Sequence, residues 1–310
     1  MDAFGPLGWL LLIAGFVAGA AAAGWLFRAG LVLVTRGELR RSLRGAPLTA
    51  SFGMLVILIY LFVAVFAPLL APYGERAVVG AQFLPWSESH WLGTDNLGRD
   101  MASRMIYGAR NTVGIALATT LLAFLLGTAL GLLAAILGGW IDQGMSRIVD
   151  VFMAIPSLIF ALLLLTIFGT SIVTLILVIA VIDATRVYRI ARSVAQGIVV
   201  MDFIEAARLR GEGMVRLVFR EILPNAMAPL VAEFGLRFCF VFLAISALSF
   251  LGLGIQPPTA DWGSMVRENA TLITFGDITP LLPAGAIALL TVAINFVVDW
   301  QLYRASGLKD

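Results

Sequence analysis

Seven runs rich in apolar residues, near 7–27, 51–70, 112–137, 149–168, 171–190, 226–250 and 280–302, constrain this 310-residue chain more than any other feature. Runs of ~18 residues or more read as membrane spans. A β-barrel would alternate apolar and polar residues over ~10-residue strands, which these runs do not do. With a mean hydropathy of +0.97 and 13% charged residues, too little polar surface is left for a soluble globule. The expected fold is an all-α membrane protein, a polytopic helical bundle.

Between the runs lie a basic segment (Arg28, Arg36, Arg40, Arg41, Arg44), a mixed segment 71–111, a short turn at 138–148, a charged stretch before residue 225 and a Pro-containing segment 255–279. If the charged stretch is cytoplasmic, alternation puts 28–50, 138–148 and the C-terminus on the same side. That side then holds fifteen of the twenty-one Lys and Arg, as the positive-inside rule requires. The first run would start outside the cytoplasm. It reads as an uncleaved extra span, because Met1-Asp2 supplies no positive n-region and the run outlasts a typical signal-peptide core. One cysteine, Cys239, and one histidine, His90, exclude an internal disulfide and a His-rich metal site. The net charge of +2 says little about nucleic acid when the arginines are distributed by membrane side.

The charged stretch carries eight ionisable residues between Asp202 and Glu221. At ~3 kcal/mol each near the bilayer centre, burying them as a span would cost on the order of 20 kcal/mol, so the stretch lies outside the hydrocarbon. Wound as a helix, Phe203, Ala207, Gly211, Met214, Val218 and Ile222 form an apolar stripe, opposite Glu205, Arg208, Glu212, Arg216 and Arg220. Gly211 and Gly213 predict two short helices joined by a turn, with Pro224 ending the second. Such a helix either lies on lipid headgroups or is presented to a soluble partner.

Glu205-Ala206-Ala207, then Gly211 after three intervening residues, then Leu223-Pro224-Asn225, resemble the EAA loop of ATP-binding-cassette (ABC) importer permeases. His90-Trp91-Leu92-Gly93-Thr94-Asp95, Leu97-Gly98-Arg99-Asp100 and Tyr107-Gly108-Ala109-Arg110 are similar to the segment after the first core span of dipeptide/oligopeptide/nickel-type permeases. So is Ser249 to Pro258 with Trp262-Gly263 beyond, and the likeness covers about residues 45–300. Two features depart from it. Gly211-Glu212-Gly213 stands where members commonly have Gly-Ala-Ser, with Glu221 in place of a His, and the 7–27 span is extra to the usual six.

The resemblance implies a coupling helix held in a groove of a cytoplasmic ATPase, with coupling residues Glu205, Ala206, Ala207, Gly211, Leu223, Pro224 and Asn225 in a loop at 191–225. It implies six core spans plus the extra one, and a division into 1–50 and a permease domain 51–310. The partners it implies are a second permease, two ATPases binding ATP and magnesium, and an extracytoplasmic binding protein, in a bacterial inner membrane with its lipid. The implied cargo is short peptides, with nickel or another small solute as the alternative. The chain itself is not expected to bind nucleotide through a P-loop, because its only lysine is Lys309 at the C-terminus, and with one His, one Cys and no paired metal-ligand motif no catalytic residue, metal or cofactor is expected in it.

Segment 71–111 reads either as an amphipathic loop, turning at Gly93, Gly98 and Gly108 with Trp86 and Trp91 at the interface, or as a docking surface that includes Asp95, Arg99 and Asp100. Ion pairs among Asp95, Arg99, Asp100 and Arg104, if exposed, would contribute only ~0–1 kcal/mol each. Within spans, Asp183, Glu233, Arg237 and Asp299 stand out. Glu233 and Arg237 suit an i,i+4 pair. A secondary transporter using Asp183, Glu233 or Asp299 as a proton or ion site is the rival class. Gly127 and Gly131 form a G-x-x-x-G suited to close helix packing.

Overall fold

The computed structural model describes the backbone of residues 6–305 and the side chains of 14–37 and 40–304; Lys309 lies outside them. All regular structure among these residues is helical. In chain order the elements are α1 (Pro6–Val34), α2 (Gly37–Arg44), α3 (Leu48–Leu70), α4 (Met101–Leu137), α5 (Gly139–Ala154), α6 (Ser157–Phe168), α7 (Ile172–Val199), α8 (Asp202–Leu209), α9 (Met214–Phe250), α10 (Trp262–Asn269) and α11 (Leu281–Ala305). Five are long and apolar enough to cross a membrane, and six if α5 and α6 count as one bent span. The run expected at 171–190 is present within α7 but carries Asp183, Arg186 and Arg189, so composition alone does not qualify it. The chain is therefore a multi-pass membrane protein.

The residues divide into two compact units. The first comprises 1–62 and 288–310. Here Gly24 lets α1 approach α3, since a Cβ on it would stand 3.0 Å from the Leu48 carbonyl oxygen and the Phe52 nitrogen. Arg28 Nη1 donates to the Ala46 carbonyl at 2.9 Å, and Leu43, Ala46, Ala50 and Trp300 form a small buried cluster.

The second unit comprises 63–287. Its axis is the contact of α4 with α7: Cβ atoms on Gly127 and Gly131 would lie 2.6 Å and 2.7 Å from the carbonyl oxygens of Ala184 and Tyr188. Only hydrogen fits there, so the two backbones meet directly. The expected turn at 138–148 is instead almost wholly helical. Gly138 and Gly139, at φ +60° and +57°, make the reversal within two residues and α5 starts at once. The run expected as one span at 149–168 is broken by 88° between α5 and α6. Pro156 explains the break: it lacks an N–H and holds Ile155 extended, at φ −88° and ψ 130°.

The segment 71–100 has no strands, only isolated bridges from Val78 to Arg99 and Thr94 to Asp100. It is tied down by polar contacts. Glu75 Oε1 accepts from Asn111 Nδ2 at 2.8 Å and from the Ala260 N–H at 2.6 Å. Trp262 Nε1 donates to the Met105 carbonyl at 3.0 Å. Asp261 caps α10, accepting from the Ser264 N–H at 2.8 Å and the Thr112 hydroxyl at 2.9 Å. Burial raises its carboxyl above the usual carboxylate range, and those hydrogen bonds oppose the rise.

Candidate functional site

The charged stretch folds as α8, a turn, and the first part of α9. Asp202 and Glu205 sit in the first turn of α8 and Arg208 in the last, each sign opposite the helix-dipole end beside it. The helix closes in a Schellman motif: the Gly211 N–H donates to the Arg208 carbonyl at 2.9 Å and the Glu212 N–H to the Ala207 carbonyl at 3.2 Å. Gly211 supplies the left-handed residue, at φ +78°, and open space surrounds its Cα. Gly213 then begins the second helix, its carbonyl accepting from the Leu217 N–H at 3.1 Å.

Pro224 does not end that helix. It occupies the N1/N2 position of an α-helical run that continues to Phe250, preceded by π-helical geometry over Leu217–Ile222. A proline cannot donate to the carbonyl four residues back, and the wider π register shifts bonding by one residue, so the helix survives. Asn225 Nδ2 donates to the Glu221 carbonyl at 2.6 Å, which adds a local tie at the same place. The charged stretch is thus continuous with a membrane helix rather than separated from it by a break.

The apolar stripe differs from expectation as well. Ala207 and Ile222 are buried, but Gly211 and Met214 are exposed, because the turn at Gly211–Gly213 resets the helical phase, and Phe203 is exposed because the buried face of α8 runs through Ile204 and Ala207. The buried face is Ile204, Ala207, Leu217 and Ile222, packed with Leu132 and Ala135 of α4, Ala191, Ala195 and Ile198 of α7, and Ala226 and Leu230 of α9. Each fully buried isoleucine is worth about 1.5–3 kcal/mol, so α8 is seated firmly on the bundle. Its other face is open: Met201, Phe203, Glu205, Ala206, Arg208 and Leu209 are exposed, Leu209 by 83%. Within Glu205-Ala206-Ala207, then, Ala207 holds the helix and the first two residues face outward. Leu223 is half-buried and Pro224 and Asn225 are exposed.

Deeper in the membrane, Glu233 Oε1 lies 2.6 Å from Arg237 Nε. The pair joins a larger cluster, because Asp183 Oδ1 stands 3.2 Å from Arg186 Nη1 and 3.6 Å from Arg237 Nη1. This cluster links α7 to α9. A second link was not legible in the sequence: Arg192 grips Asp142 with both Nε and Nη2, the latter at 2.5 Å, tying α7 to α5 across fifty positions. Asp299 is exposed on α11.

The docking reading of Asp95, Arg99 and Asp100 is corrected by their burial: they are 0%, 4% and 2% exposed. Asp95 Oδ2 lies 2.6 Å from Arg99 Nε and 3.3 Å from Arg104 Nε, and Glu268 Oε2 meets both arginines at 3.1 and 3.3 Å. Asp100 caps α4 through the Ser103 N–H at 2.8 Å and faces His90 Nδ1 at 3.1 Å. These side chains hold the segment together and are not available to a partner. Trp86 and Trp91 are exposed.

Residues 127–305 match the family described as the binding-protein-dependent transport system inner membrane component. The chain belongs to this family. The permease is 35% identical over 263 residues to a dipeptide transport system permease protein DppC of Alkalihalophilus pseudofirmus, 84% of each chain being covered. It is 35% identical to a di/tripeptide transport system permease protein DppC of Pseudomonas aeruginosa, covering 83% of this chain and 85% of that one. It is also 33% identical to a probable D,D-dipeptide transport system permease protein DdpC of Escherichia coli, covering 86% and 88%. Family membership removes the secondary-transporter reading. It also gives the likeness seen in the motifs a basis along most of the chain.

Proposed function

We propose that this permease is one of two membrane subunits of an ATP-driven importer in a bacterial inner membrane, carrying short peptides released by an extracytoplasmic binding protein. The observation that carries this reading is the two-faced α8, seated by Ile204 and Ala207 on α4, α7 and α9 while Glu205, Ala206 and Leu209 face outward. In the proposal the open face docks in a groove of one of two ATPase subunits, which bind ATP and magnesium. Closure of the ATPases then moves α8, and because Ile204 and Ala207 pack on Leu217, Ile222 and Ala226 of α9, which runs on unbroken into the membrane, the motion reaches the intramembrane charge cluster. Transport is by alternating access, with this chain supplying half the pathway and no covalent chemistry. The relatives' names support peptide cargo over nickel or another small solute. The proposal places the N-terminus outside the cytoplasm and treats 1–50 as an addition to a permease domain at 51–310.

The test is reconstitution with the second permease, the ATPases and the binding protein. Wild type should import a labelled dipeptide with hydrolysis stimulated by the loaded binding protein. Glu205→Arg should leave the spans inserted yet weaken ATPase co-purification or coupled uptake by about tenfold or more, a charge reversal at a docked surface. Normal assembly, hydrolysis and uptake in this variant would remove the coupling assignment. Import of nickel but not of dipeptides would remove the cargo.

A further inference from the structure

Docking of α8 on an ATPase does not explain the groups that face the cavity between α6, α7 and α9. That cavity holds about 500 Å³, within the range of pockets that enclose small ligands. Leu158, Phe240 and Leu243 give it apolar walls, and Asp183, Arg186 and Arg237 also line it. Asp183 is only 3% exposed, and its Oδ2 is buried without a hydrogen-bond partner. An unsatisfied buried acceptor costs ~1–3 kcal/mol, so a purely structural pair is an incomplete account of it. Arg186, with a side chain 38% exposed, donates through Nη1 to Asp183 at 3.2 Å and through Nη2 to Ser157 Oγ at 3.3 Å. Those two contacts use two of the five N–H bonds of a guanidinium.

Depth and charge fit the same purpose. Asp183 lies eleven residues from the start of α7 at Ile172, or about 16 Å along the axis, close to half of a ~30 Å hydrocarbon layer. With Glu233 beside Arg237, the cluster has two acids and two bases and no net charge. A neutral zwitterion is therefore the ligand that enters without leaving an uncompensated charge in the membrane interior.

We propose that this cavity is a binding site on the permease itself for zwitterionic short peptides, Asp183 taking the α-ammonium group and Arg186 the terminal carboxylate. The site rests on the peptide cargo proposed above. The ligand's carboxylate draws Arg186 from Asp183, and its ammonium takes the vacated place and reaches Oδ2. One internal pair is exchanged for two pairs to ligand. The apolar walls receive the peptide's side chains by contact alone, with little selection among them. A peptide capped at either end leaves one charged group unmatched and is rejected.

The experiment uses the assembled permeases and ATPases in lipid nanodiscs without the binding protein, whose own selectivity is thereby excluded. Equilibrium dialysis compares alanyl-leucine, N-acetyl-alanyl-leucine and alanyl-leucine amide. Wild type should hold the free dipeptide at least about tenfold more tightly than either capped form. Asp183→Asn should lose the discrimination against the acetylated peptide and keep that against the amide, and Arg186→Gln should do the reverse. Ala244→Leu fills the cavity without altering a charge and should abolish binding, so the test stands even where Asp183→Asn fails to assemble. Equal binding of all three peptides, or unchanged selectivity in Ala244→Leu, overturns the site. No binding by wild type while the complete system imports dipeptide overturns the site alone and leaves the importer standing. Failure of the complete system to import dipeptide overturns the cargo reading beneath it.

Discussion

Two regions of the permease outside its apolar spans are rich in charge and use it in opposite ways. In and after α8, Glu205, Arg208 and Arg210 face outward, and the one ion pair there, Arg210 with Glu212 at 3.0 Å, has its arginine side chain 59% exposed. In the segment before and within the start of α4, Asp95, Arg99, Asp100 and Arg104 are at most 4% exposed; Asp95 pairs with both arginines, which also meet Glu268, and Asp100 bonds His90 and Ser103. The first region keeps a rigid seat and a free surface. The second spends its charges on internal order. Motif and composition alone do not separate the two cases; what separates them is whether opposite charges converge from distant parts of the chain.

The largest effect that would break this contrast is on stability. Asp95→Ala should destabilise the folded subunit by about 3–5 kcal/mol, because it leaves two buried arginines with Glu268 between them and one positive charge uncompensated. Glu205→Ala, at an exposed position, should change stability by no more than about 0.5 kcal/mol. Thermal unfolding of the purified complex checks both, and comparable losses in the two variants would erase the distinction.

Much of the architecture was legible. Apolar runs located the long helices, and Gly127 and Gly131 announced a close helix contact that the structure places against Ala184 and Tyr188. Gly211 and Gly213 announced the turn after α8. What stayed hidden depended on distant partners or on phase. Glu268 is 169 positions from Arg99 and Asp142 is fifty from Arg192, so no local spacing could pair them. The apolar stripe through Phe203 and Met214 assumed one continuous helical phase, which the left-handed Gly211 interrupts. Pro224 read as a stop because the π-helical register that accommodates it leaves no mark in composition.

A smaller effect sharpens the comparison at Gly211. Its surroundings are open, so Gly211→Ala meets no neighbour, and its cost is the left-handed φ alone, about 1 kcal/mol. The subunit should assemble with its melting temperature slightly lowered and with its coupled uptake reduced more than its stability suggests, because the orientation of α8 depends on this turn. Equal, proportionate losses in both would mean that the turn serves folding only.

The most direct test of the central claim, that the open face of α8 meets the ATPase, is cross-linking from a single engineered thiol. The chain's only cysteine, Cys239, is buried, so it contributes far less background labelling than an exposed thiol would. Leu209→Cys places a thiol at a position 83% exposed, and Trp91→Cys places one at a position 68% exposed in the other region. Each is labelled with a maleimide-benzophenone in the assembled importer and photolysed. The account predicts an adduct between residue 209 and an ATPase subunit, changed in yield by ATP, and none from residue 91. Adducts from residue 209 to lipid alone, or to the ATPase from both positions equally, would contradict it.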